Sequence, residues 1–160
     1  MIRGMNKKKL YTLCFLEEFY NWSGDLDSND LSILKVLNLL FLCVAKNKKL
    51  LAVFDNFKAD AMGVLEFDVH KILNNYKGIN HKGLKIIHKK FITKPIKKQV
   101  KKSVSQLKER SPELINYSAV DLSTLSRKWD TWEECYKVKW DKTIPSKFLL
   151  DGIWVFTLGI

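Results

Sequence analysis

Three histidines, three cysteines, a few carboxylate pairs and a dense block of lysines are the side chains here with chemistry to offer. His70, His81 and His88 fall in no HExxH-type ligand spacing. His81 and His88 lie among lysines whose charge would repel a cation. Cys14, Cys43 and Cys135 have no short spacing, and the first two sit in apolar stretches where a cysteine serves as a small hydrophobe. Cys135 has Glu134 beside it but no histidine nearby in sequence to act as its base. Glu17-Glu18 and Glu133-Glu134 are adjacent, so on a helix they point about 100° apart, which suits wet faces better than acid–base work. Gly63, Gly78 and Gly83 are isolated and form no phosphate-cradling loop, and no GxSxG elbow occurs. The sequence therefore predicts no catalytic residue, no metal and no cofactor, and reads as non-enzymatic.

The lysines are the stronger signal. The chain of 160 residues carries a net charge of +11. Residues 69–108 hold twelve lysines and no acid, whereas the flanking segments are near balance. A single-sign stretch calls for an acidic counterpart: a protein surface, phosphate or an anionic membrane. Only three arginines occur, Arg3, Arg110 and Arg127, so a basic face here presents point charges rather than the bidentate forks that read bases and clamp phosphates. Interleaved aromatics are few, Tyr76 and Phe91, which counts against a stacking platform for single strands. A solvated helix surface accounts for the same residues equally well.

Elements must position these groups. At this length one domain over residues 1–160 is expected, with enough apolar residues for a core without staples. Helices are predicted over about Lys9 to Trp22 and Leu31 to Lys46. The second is apolar nearly all round and is read as the spine of the core, with Leu34 buried in it deeply enough that Leu34→Asp would unfold the protein. Leu50 to Phe57 is read as a short strand or extended link, and Val64 to Asn75 as helix. The glycines at 78 and 83 with Asn80 predict a turn or hairpin. Pro95 opens a helix on which Ile96, Val100, Val104 and Leu107 form the apolar stripe, with Lys97, Lys98, Lys101 and Lys102 on the exposed surface and no acid nearby to balance them. Ser118 begins a further helix. Trp129, Trp132, Tyr136 and Trp140 recur at helical spacing; Trp132 is assigned to the core, and Trp129 stays open between core and partner contact. The last ten residues read as a docked strand or packed tail. The fold class is mainly α, a compact helical domain around a buried central helix with one or two short β-strands. No leader peptide or membrane span is expected, and the odd number of cysteines predicts a reducing, cytoplasmic setting.

Three blocks carry a resemblance. Leu34-Lys35-Val36-Leu37-Asn38-Leu39-Leu40-Phe41-Leu42 resembles the segment LKLQKLLYF of the antitoxin domain called Panacea, or SocA-like, with Leu37 and Asn38 in place of its Gln and second Lys. Phe57, Ala59, Gly63 and Val69 match its pattern FxAWxYGPVxPxV, with Asp60, Met62, Val64, Leu65 and Phe67 departing from it. Ser118, Ala119, Leu122, Leu125, Ser126 and Trp132 match SAxxLxxLSHxExPW, with Arg127, Trp129 and Thr131 departing. The resemblance covers about residues 9–150. It implies a mainly helical, non-enzymatic antitoxin that binds and neutralises a protein toxin, with members common in prophages and mobile elements and toxin partners that vary widely. One branch of the family instead acts as an adaptor delivering the toxin to a protease. The contact surface is not implied by the resemblance; charge places it at Lys97, Lys98, Lys101 and Lys102, with Trp129 as a second candidate. A basic nucleic-acid-binding regulator and a plain scaffold remain the rival readings.

Overall fold

The computed structural model describes residues 6–24, 31–76, 92–128, 132, 135–136, 143–144 and 146–151. The expected turn around Gly78 and Gly83, the residues Trp129 and Trp140, and the last nine positions lie outside them.

Helix α1 (Lys7–Ser23) starts where the Asn6 side chain accepts the Lys9 amide N–H and ends at Gly24, whose φ of 69° closes the C-terminus. Helix α2 (Ile33–Val44) is capped by Ser32. Its residues Val36, Leu37, Leu39, Leu40, Phe41 and Val44 are all buried, as the all-round apolar pattern requires. Leu34, in its first turn, is only half-buried. The deepest point of the spine therefore lies a turn or more further on, at Leu39 and Phe41, and Leu34 is not the residue on which the core turns.

Two stretches differ from the sequence reading. Lys48–Leu51 forms a one-turn helix, α3, because the Asn47 side chain caps the Leu50 amide; the extended strand β1 begins only at Phe57 (Phe57–Asp60). Gly63–Glu66 is strand β2, not the start of a helix. It pairs antiparallel with β1 in the register Phe57↔Glu66 and Asp60↔Gly63. The two-residue turn Ala61-Met62 is held by the Asp60 carboxylate accepting the Met62 N–H at 2.9 Å. Pairing with β1 outweighs a helical tendency that Val64-Leu65 never strongly had. Helix α4 (Phe67–Asn75) follows at once.

Helix α5 (Lys94–Arg110) has Pro95 in its first turn and buries Ile96, Val100, Ser103, Val104 and Leu107, the expected stripe. A 3-10 turn (Pro112–Asn116) leads to α6 (Ala119–Ser126), whose N-terminus is capped by Ser118 as expected. A last helix, α7, covers Ser146–Asp151. α1 packs along α5, α2 lies against α6, α5, α4 and β2, and α4 closes on α1 and α2. The result is mainly helical with a two-stranded hairpin. Among the described residues no helix is long and apolar enough to cross a membrane.

Candidate functional site

The residues of the three motif blocks converge on one buried seam between α2, the hairpin and α6. Asn38, fully buried on α2, is its centre. The Ser126 hydroxyl donates to Asn38 Oδ1 at 2.8 Å and accepts the Val64 N–H at 3.2 Å. The Asn38 amide donates to the carbonyls of Leu34 at 3.0 Å and Met62 at 3.4 Å. Every polar group of the side chain is thus used, which is what burial at this depth requires. Gly63 closes over the pair with φ 124°; a Cβ there would stand 2.2 Å from Ser126 Oγ and 2.6 Å from Asn38 Oδ1. Only glycine fits both the backbone and the space. Beside it, Lys35 is 3% exposed and its ammonium donates to the Ile115 carbonyl at 2.6 Å.

The remaining motif positions serve the same seam. Leu39, Leu40, Phe57, Ala59 and Leu122 are buried around it, and Leu34, Ala119 and Leu125 are half-buried at its margin. Ser118 caps α6. The Trp132 indole N–H donates to the Asp60 carbonyl at 2.9 Å, and its ring stacks on Tyr136 at 4.7 Å between centroids. Trp132 is therefore a half-buried clasp on the hairpin. The matched positions account for the fold of this seam; none of them presents a polar group to a ligand.

A second polar centre, buried at Glu66 and open to solvent at Asp55 and Asp68, was not anticipated from the sequence. Lys8 on α1 lies 2.7 Å from Asp55, 2.8 Å from Glu66 and 2.7 Å from Asp68. Glu66 is fully buried; its Oε1 caps α4 by accepting the Asp68 and Val69 amides. Its Oε2 accepts no well-aligned hydrogen bond and is compensated ionically by Lys8. Burial alone would lower the Lys8 ammonium, but Asp55, Asp68 and Glu66 together hold it above its ordinary value. Lys8, helped by the Asn56 amide, in turn holds the Asp68 carboxyl below its ordinary value against the effect of burial. The three carboxylates have the mutual spacing of a cation site, and the Lys8 ammonium occupies its middle. The arrangement is a cross-link between α1 and the start of α4.

The cysteines are buried. Burial pushes the Cys14 thiol up to about 12, with Glu18 and Glu17 adding to the rise and Lys97 and Lys101 opposing it. The Cys43 thiol is likewise raised by burial. Thiols so placed are poor nucleophiles. His70 is exposed on α4, and His81 and His88 lie outside the described residues.

The four candidate lysines of α5 are exposed. At about 100° per residue they fan over an arc of about 140° off the stripe, with Lys97 and Lys101 toward one end, Lys98 opposite the stripe and Lys102 at the other end. Lys97 and Lys101 turn toward α1: both act on Cys14, and Lys101 lowers the Glu18 carboxyl that burial raises. One acid, Glu18, thus belongs to the surroundings of Lys101, contrary to the sequence reading. Lys102 borders a groove of about 510 Å³ between α5 and the α2–α3 corner, with Lys46, Lys48, Lys49 and Arg110 around it and, among the described residues, no carboxylate in its lining. Leu42, Leu50 and Leu107 form an apolar floor. The second basic wall comes from a part of the sequence where charge is balanced overall, so only the fold brings it to Lys102. Trp129, the other candidate, lies outside the described residues.

Comparison with protein-family models, curated proteins and solved structures finds no match to this chain.

Proposed function

We propose that this protein is a non-enzymatic binding module of the Panacea type, an antitoxin that neutralises a protein toxin by direct contact in the cytoplasm. The observation that carries the reading is the division of the molecule. The residues matching the motif blocks are consumed in one buried seam, while exposed positive charge lies outside it, on α5 and the α2–α3 corner. An interior spent on the fold and an exterior independent of it is what a module with varying partners requires. The buried, raised thiols fit a protein that works by binding.

The test is co-expression. The product of the neighbouring gene should arrest growth when expressed alone, and this protein should restore growth and co-purify with it. A neighbour that is harmless, or a toxic one that this protein neither rescues nor binds, defeats the proposal. The rival, a nucleic-acid-binding regulator, draws on the same basic groove. It predicts a retarded operator fragment whose affinity falls steeply with salt.

A further inference from the structure

The groove between α5 and the α2–α3 corner has a composition that selects among acidic partners. Its rim carries five cationic side chains: Lys46, Lys48 and Lys49 on one side, Lys102 and Arg110 on the other. From Gln99 to Arg110, both of which border the groove, the helix extends for roughly 16 Å, the length of a helical segment of about eleven residues. The floor is apolar, with half-buried Leu42 reaching it from α2. Among the described residues no aromatic ring lines it for a base to stack on, and Arg110 is the one guanidinium there to fork onto a phosphate. A phosphate backbone has nothing to place on such a floor. A protein segment does, because an apolar core inside a charged rim is the anatomy of a protein–protein contact.

We infer that this groove is the docking site of the partner, and that its occupant is a carboxylate-rich protein segment carrying an apolar anchor between its acids. The inference rests on the reading of the protein as a binding module and adds where and what it binds. Leu42 receives the anchor, and Lys48, Lys49 and Lys102 flank it with charge. Lys97 and Lys101, turned toward Glu18 and α1, take no part. Charge complementarity of this kind speeds encounter and excludes basic partners, and screening weakens it as salt rises.

The experiment uses the full chain and three fluorescent probes of equal negative charge: a helical peptide of glutamates with central leucines, the same peptide with the leucines changed to glutamine, and a single-stranded oligonucleotide. Anisotropy titrations should show the leucine peptide binding at least about tenfold more tightly than the other two, since an anchor that buries a leucine side chain contributes enough for that factor. The triple variant Lys48→Glu/Lys49→Glu/Lys102→Glu should melt like the parent and lose at least about tenfold in affinity, whereas Lys97→Glu/Lys101→Glu should lose less than about twofold. Leu42→Gln should remove the preference for the leucine peptide while leaving the salt dependence. Tightest binding of the oligonucleotide, or equal losses from both lysine sets, overturns the inference. The same variants separate it from the broader proposal. If the triple variant still rescues growth from the neighbouring toxin, the groove is not the contact although the protein remains an antitoxin. If the parent fails to rescue but the groove discriminates among the probes as described, the antitoxin reading falls and the docking site stands.

Discussion

Two populations of lysine divide this molecule. Lys35 is buried and Lys8 mostly so, each fixed by acceptors: three carboxylates within 2.8 Å for Lys8, and the Ile115 carbonyl for Lys35. The lysines of α5 and of the α2–α3 corner are outside, crowded on surfaces with few acids. The same side chain is costly in the first setting unless every partner is kept, because removing one leaves a desolvated charge behind. In the second it costs little and can be exchanged freely, since exposed charges are screened and seldom contribute more than about 1 kcal/mol. Interior lysines therefore specify the fold, and exterior ones are available for recognition. The contrast can be broken at either end.

The largest effect is expected at Lys8. Lys8→Met strands the fully buried Glu66 carboxylate and should destabilise by about 3–5 kcal/mol in urea unfolding, which is much of a domain's margin. Adding Glu66→Gln should recover part of that loss, because glutamine keeps an oxygen for the α4 cap but no longer needs a counter-charge. A single Lys8→Met variant that unfolds at the parent's urea midpoint would show that the interior lysine is not structural.

Next is Gly63→Ala. The methyl group meets Ser126 Oγ and Asn38 Oδ1 at distances no side chain tolerates, and φ 124° disfavours any L-residue. Relieving the clash breaks the Ser126–Asn38 bond or opens the hairpin. A loss of about 2–4 kcal/mol is expected. A normal melting temperature for this variant would remove the seam from its structural role.

Acid should act through Asp68. Its folded pKa is lowered, so the unfolded chain binds the proton more readily. The stability this contributes is present above the unfolded value near 3.8 and is lost as pH falls through the folded value. Asp68→Asn should therefore flatten the decline of stability below about pH 4 while lowering the plateau at neutral pH. A variant whose acid limb matches the parent's would place the pH sensitivity elsewhere.

Much of this architecture is legible in the residues, and the exceptions have physical causes. The apolar α2, the stripe Ile96–Val100–Val104–Leu107 and the Ser118 cap are local patterns, so periodicity and capping chemistry find them. Gly63–Glu66 is not such a pattern: four residues cannot distinguish strand from helix, and the decision belongs to β1, which pairs with it. Leu34 looks like a core residue because α2 is apolar on every side, but its place in the first turn leaves it half-exposed. The link between Lys8 and Glu66 joins residues far apart in sequence, with nothing at either position to announce the other. The four lysines of α5 are readable as a group off the stripe, and the wheel spreads them over one arc with Lys97 and Lys102 at its two flanks. Which flank meets α1 and which meets Lys48 and Lys49 is fixed only by packing.

That division yields the smallest effect and the sharpest comparison within one helix. Lys102→Glu changes an exposed charge on the basic groove, where relief of repulsion among like charges offsets any loss, so its stability should stay within about 0.5 kcal/mol of the parent. Lys101→Glu instead puts a carboxylate into the surroundings of Glu18, whose carboxyl burial already raises and Lys101 now lowers. It should cost roughly 0.5 kcal/mol more than Lys102→Glu at neutral pH in low salt. The sign of the pH dependence follows from Glu18. Without Lys101 its folded pKa rises further above the unfolded value, so the penalty is full where Glu18 must ionise and fades as pH drops through that folded value. Added salt should shrink the difference, because both side chains lie near the surface. Matched urea curves for the two variants at neutral and acidic pH measure it. If the curves coincide at both, Lys101 is as indifferent to the fold as Lys102, and the two flanks of α5 differ only in what they face.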